Sequence, residues 1–189
     1  EYVMRKQGLS SQLLVKLGLM TAISLVLVTL VRIPFPPLPF LVYDPADVPI
    51  YITAFAYGPA AGLIVTFIVS FIQAFAMGGD GIYGFLMHFV ATGIVSVVIG
   101  LMYHRTKTKK MAITALIVGV ILVIVIMCMM NLFVTAAYMG MPRSAIVALL
   151  PMIALFNLLK SGINAVITFV LYKRVSRFLH EDTIQRKKN

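Results

Sequence analysis

The chain has 189 residues, a length that suits one domain, and a formal net charge of +10. It is 61% hydrophobic, only 12% charged and has a mean hydropathy of +1.01, whereas a soluble domain carries about 25% charged residues. These values exclude a cytosolic enzyme and a disordered chain, the single cysteine, Cys128, excludes an internal disulfide framework, and an integral membrane protein remains.

The apolar runs are continuous rather than alternating, which selects helices over a barrel. They predict an all-α bundle of six transmembrane helices, one domain over 1–189 with tails at about 1–12 and 180–189. The first helix runs from Leu13 to Ile33. It is too long for a signal-peptide core and no small-x-small cleavage site follows, so it reads as a permanent span. Met4 reads as the natural start, with Glu1 to Val3 as an appended remnant.

Ile33 to Asp47 contains Pro34, Pro36, Pro37 and Pro39. Prolines at this density stiffen the chain and are expected to block both helix and ladder formation. Two readings are open: a spacer lying on the membrane surface, or a lid over the bundle. As a lid, Phe35, Phe40, Leu41 and Tyr43 would supply apolar walls, and rigidity would reduce the entropy lost on closing. Asp44 either makes an ordinary turn with Pro45 or faces a ligand hydroxyl. Asp47 is a candidate N-cap for the next helix.

That helix, Val48 to Tyr57, is separated from Ala60–Met77 by the turn signal Gly58-Pro59. It is short for a span, and would borrow length from residues 45–47 or lie at the interface. Gly79 to Gly84 fits G-x-G-x-x-G, but a membrane helix precedes it and no acid follows at the right distance, so it reads as a tight turn. Tyr83–Tyr103, Met111–Tyr138 and Ala145–Tyr172 complete the six, with Pro151 opening the membrane part of the last.

Orientation follows from basic residues in short loops. Arg5, Lys6 and Lys16 precede the first helix, Arg105, Lys107, Lys109 and Lys110 join the fourth and fifth, and Lys173, Arg174, Arg177, Arg186, Lys187 and Lys188 follow the sixth. Six alternating spans put all of these on one side, so both termini are expected to be cytoplasmic. The opposite side has Arg32, Arg143, Asp44, Asp47 and Asp80. The positive charge is therefore a topology signal rather than a nucleic-acid patch, and the basic tail would lie against anionic lipid.

Polar groups at membrane depth usually face the bundle interior. Asn157, Lys160, Ser161, Asn164 and Thr168 form one stripe of the sixth helix, opposite Leu158, Leu159, Ile163 and Val166. Every acid lies in a loop or tail, so Lys160 would bond carbonyls, amides or a ligand, or snorkel to a surface. Asn131, with Thr135 and Tyr138 along its face, adds a second amide. His88, Thr92 and Ser96 on the fourth helix and Gln73, Ser70 and Thr66 on the third read either as helix–helix glue or as binding groups. Asn131, Asn157 and Lys160 at similar depth suit a neutral, planar ligand rich in heteroatoms.

Other chemistry is missing. There is no P-loop motif, His88, His104 and His180 are too scattered for a metal site, and no embedded carboxylate, Ser/His or Cys/His pair is visible. Neither an enzyme nor a cofactor is expected. The chain is small for a free-standing secondary transporter and has no internal repeat, which suggests a binding subunit energised by others.

The stretch Leu41-Val42-Tyr43-Asp44-Pro45-Ala46-Asp47-Val48-Pro49, the F-x-x-G-P-x-x-G element at Phe55, Gly58, Pro59 and Gly62, Asn131, and the run Phe156, Asn157, Lys160 and Ser161 resemble the substrate-binding S components of energy-coupling factor (ECF) transporters, nearest to the riboflavin-specific branch. The resemblance covers about Leu13 to Leu179. It departs at Val42, where a Lys is frequent, and at Ser161, where Gly is common.

The resemblance implies a six-helix membrane subunit that captures riboflavin outside the cell. It also implies association with a transmembrane coupling subunit and two cytoplasmic ATPases. Asn131, Asn157, Lys160 and Asn164 would meet the heteroatom edge of the isoalloxazine. Phe40, Leu41, Tyr43 and Phe85 would pack on it, and Asp44 would receive ribityl hydroxyls. Gly18 and Ala22 would form a small-x-x-x-small patch for the coupling subunit, unless they pack within the bundle. The alternatives are an S component for thiamin or biotin, a structural membrane subunit without a ligand, and a membrane enzyme.

Overall fold

The computed structural model describes residues 10–78 and 80–185, the side chains at 173 and 175–185 left aside. Met4, Arg5, Lys6, Gly79, Arg186, Lys187 and Lys188 lie outside the described residues, as do the side chains of Lys173, Arg177 and His180.

The elements are α1 (Ser11–Leu30), β1 (Ile33–Phe35), β2 (Leu38–Tyr43), α2 (Asp47–Tyr57), α3 (Pro59–Ala76), α4 (Gly81–Thr106), α5 (Lys109–Met130), a π-helical turn (Asn131–Thr135), α6 (Ala136–Met139) and α7 (Arg143–Gln185). Among the described residues, five helical stretches are long and apolar enough to cross a membrane: α1, α3, α4, Lys109–Met139 and Arg143–Tyr172. Their burial suits a lipid solvent. Leu158, Leu159, Ile163 and Val166 on α7 are exposed, while Asn157, Ser161, Asn164 and Thr168 on its other face are buried. The polar stripe is thus inside.

The sixth apolar run takes a different form. At 11 residues and ~1.5 Å per residue, α2 is about half a membrane deep. Of residues 45–47 it takes in Asp47 alone, and every residue from Asp47 to Phe55 is buried in the bundle. Ile50, Tyr51, Ala54 and Phe55 form the main core with Val65, Val69, Val95, Ile99 and Tyr103.

β1 and β2 precede α2 in the chain. The proline run does form a ladder, contrary to the expectation, with Ile33 opposite Tyr43, Pro34 opposite Val42 and an irregularity before Phe35. A two-stranded sheet has only edge strands, so each proline's missing N–H can face away from the ladder. The hairpin packs inward: Leu41 joins Ala136, Ile146, Ile153 and Phe156, with Phe35, Leu38 and Tyr43 against them.

The α2–α3 turn explains the Gly-Pro signal. Gly58 has φ +100°, which side chains rarely adopt, and Pro59 starts α3 at a position where its missing N–H costs nothing. Gly62 lies so close to α2 that a Cβ there would sit 2.8 Å from that of Ala54. Pro151 is not in the first turn of the last helix. It lies inside α7, which begins at Arg143.

Candidate functional site

A cavity of about 230 Å³ opens at the end of the bundle occupied by the hairpin. Phe40, Leu41 and Asp44 come to it from the hairpin segment, Gln73 from α3, Met87 and His88 from α4, Asn131 and Thr135 from the π-turn, and Phe156, Asn157 and Lys160 from α7. Arg32, Asp80, Tyr83 and Tyr138 also line it, and Tyr138 donates a hydrogen bond to Asp80 Oδ1 at 3.0 Å. The α3–α4 turn and the α6 end therefore meet at the cavity mouth.

One wall carries amides and an ammonium. The π-turn matters here, because a wider turn redirects side chains that an α-helix would place elsewhere. Asn131 Nδ2 donates to Met127 O at 2.8 Å and Asn131 Oδ1 accepts from Thr135 at 2.9 Å. Asn157 Nδ2 donates to Ile153 O at 2.8 Å. An amide has two N–H groups and two acceptor lone pairs. After these bonds both side chains keep an N–H, and both keep acceptor capacity, for the cavity. Sulfur and rings supply apolar lining through Met87, Met127 and Phe156.

Lys160 corrects the expectation that it has no acidic neighbour. Its Nζ lies 2.8 Å from Asp44 Oδ2 and 3.5 Å from Val42 O. A loop acid reaches this depth because the hairpin folds into the bundle, which sequence position alone conceals. Asp44 also makes its expected turn, since its Oδ1 accepts from Ala46 N at 3.1 Å. Of the lysine's three N–H bonds, one remains after these two contacts.

Asp47 is not an N-cap. It is the first residue of α2, and no side-chain capping bond forms. Its Oδ1 accepts from Thr92 at 2.9 Å and faces His88 Nε2 at 3.1 Å, while its Oδ2 accepts from Asn164 Nδ2 at 3.3 Å. His88 Nδ1 in turn faces Ser70 Oγ at 3.1 Å. The structure therefore makes a Ser/His pair that the sequence did not reveal. Ser70, only 1% exposed, ends a buried chain that ties the start of α2 to α3, α4 and α7.

Three expected site residues lie away from the cavity. Asn164 is fully buried behind it, donating to Asp44 O at 3.2 Å as well as to Asp47. Tyr43 donates to Asn164 Oδ1 at 3.2 Å. Phe85 belongs to an aromatic cluster of α3 and α4, stacked on Phe89 with ring centroids 5.4 Å apart and edge-on to Phe67. Its ring also packs against those of Phe71 and Phe75. Asn131, Asn157, Lys160, Asp44, Leu41 and Phe40 do meet around the cavity.

The polar residues of α3 and α4 divide. Ser70, Gln73, His88 and Thr92 line the cavity, whereas Thr66 and Ser96 bond carbonyls of their own helices. Asp80 and Arg32 were legible only as loop residues. On α1, Gly18 and Ala22 are exposed, and a Cβ added at Gly18 would meet no atom within 4 Å, so this pair does not pack within the bundle.

The family described as ECF transporter, substrate-specific component, matches residues 12–172. The chain is 28% identical over 174 residues to the riboflavin transporter RibU of Staphylococcus aureus (strain TCH60), covering 88% of this chain and 91% of that one. A solved structure described as "Structure and mechanism of the S component of a bacterial ECF transporter" is similar with a TM-score of 0.73 and 28% identity, over 88% of this chain and 96% of that one. With this family match over most of its length and the same fold, the chain belongs to the substrate-specific components of ECF transporters and is a multi-pass protein of the cell membrane.

Proposed function

We propose that this chain captures riboflavin from outside the cell for an ATP-driven ECF transporter. The observation that carries the reading is the cavity itself. A wall of Asn131, Asn157 and Lys160 faces a space also lined by Phe40, Leu41 and Phe156. Such a space takes a flat ring system with hydrogen-bonding atoms on one edge. Likeness to the riboflavin transporter RibU supports the vitamin's identity.

Asn131 and Asn157 offer both donors and acceptors to the pyrimidine edge of the isoalloxazine. Lys160 adds its remaining N–H while holding Asp44. Phe40, Leu41 and Phe156 cover the ring, and the hairpin acts as a lid. Asn164 and Tyr43 serve by holding the hairpin and α2 in place.

In this reading the five long helices and the hairpin–α2 unit make six crossings, with both termini cytoplasmic and the cavity facing outward. Thirteen of the 16 basic residues then fall on the cytoplasmic side. The chain binds substrate and performs no chemistry on it. Energy comes from two cytoplasmic ATPases through a transmembrane coupling subunit, which the exposed Gly18/Ala22 face of α1 contacts closely.

Uptake tests this. Cells unable to make riboflavin, given this chain with a coupling subunit and ATPases, should accumulate labelled riboflavin, and excess thiamin or biotin should not compete. Competition by either vitamin, or no uptake above cells lacking the chain, would contradict the reading.

A further inference from the structure

The cavity has a second polar side that the ring-binding wall does not use. Gln73 lines it from α3, and its Oε1 is buried with no hydrogen-bond partner. A buried carbonyl left unpaired is costly and uncommon. Because Gln73 lines the cavity, a donor from a molecule bound there would supply the missing partner.

The position of Gln73 says which part of a ligand it meets. The bonded pair Tyr138 and Asp80 marks the mouth. Gln73 lies within one turn of the α3 end at Ala76. Asn131 lies about two turns below Tyr138. The amide wall is therefore deep, and Gln73 is shallow and on another helix.

We infer that Gln73 is a specificity-determining residue of the cavity, whose side-chain carbonyl accepts a hydrogen bond from a hydroxyl on the flexible chain of the bound ligand. This rests on the riboflavin reading: the isoalloxazine occupies the deep wall and the ribityl chain runs toward the mouth. Gln73 thereby distinguishes a flavin with a polyhydroxyl chain from one without it. Ser70, one turn away on the same helix, is already engaged with His88, which leaves Gln73 as the acceptor on α3.

The test is a flavin-fluorescence titration of purified full-length protein with riboflavin and with lumiflavin, the same ring bearing a methyl group instead of ribityl. Wild type and Gln73→Met are compared, with the melting temperature of each empty protein. Met keeps length and volume and removes the amide. The variant should bind riboflavin about three- to tenfold more weakly, the range of one neutral hydrogen bond, and bind lumiflavin as wild type does. Its empty form should melt no lower than wild type, because an unpaired polar group is gone.

Equal weakening for both flavins, unchanged affinity for both, or a lower melting temperature with loss of both ligands would overturn the inference and make Gln73 structural or idle. Wild-type protein that binds neither flavin overturns it as well. That result is distinguishable, because it strikes the riboflavin reading before any substitution is made.

Discussion

The Lys160 ammonium and the Asp44 carboxylate lie 116 residues apart in the chain and 2.8 Å apart in space, with only 19% and 9% of their side chains exposed. The pair joins the last long helix to the segment that follows the hairpin. A buried pair is a weak source of net stability, but losing one partner leaves the other charge uncompensated. Here the uncompensated group would sit at the base of the hairpin.

Lys160→Met should therefore destabilise the empty protein by about 3–5 kcal/mol and weaken riboflavin binding. The double variant Asp44→Asn/Lys160→Met should recover much of the stability, since no charge is then stranded. Thermal melts in detergent decide the matter. A single variant as stable as wild type would show that the pair does not form.

Asp47 anchors more elements than Asp44, with bonds from α4 and α7. Asp47→Ala should lower the melting temperature more than His88→Ala or Thr92→Ala, each of which removes only one of its partners. The three variants melting alike would contradict a network centred on this carboxylate.

Gly58 tests the α2–α3 turn. An added Cβ would come no nearer than 3.8 Å to His104, which is ordinary contact, so the penalty comes from φ +100°. Gly58→Ala should cost about 1–3 kcal/mol with no change in ligand selectivity. A neutral substitution would mean that the turn relaxes to another conformation.

Gly18→Leu and Ala22→Leu add bulk to an exposed face of α1. Riboflavin binding by the purified subunit should be intact, while uptake with the coupling subunit and ATPases should be lost. Parallel loss of binding and uptake would place these residues inside the fold instead.

What the sequence revealed has a physical pattern. Long apolar runs and the inward stripe of Asn157, Ser161, Asn164 and Thr168 were readable because a helix converts spacing directly into facing. The turn at Gly58-Pro59 was readable because glycine and proline act through their own backbone. The proline ladder was not, because whether a proline tolerates a strand depends on which edge faces a neighbour. Nor was the acid beside Lys160, since Asp44 sits in a loop and only tertiary folding carries it inward. The π-turn at Asn131 and the displacement of Phe85, Tyr43 and Asn164 from the cavity likewise depend on packing between helices.

The most direct measurement is the absorption spectrum of the detergent-purified protein from a riboflavin-producing host, followed by titration of the emptied protein with riboflavin. The account predicts a yellow protein carrying oxidised flavin near one per chain, and fluorescence quenching that saturates at the same ratio. A colourless preparation whose emptied form leaves riboflavin fluorescence unchanged would contradict it.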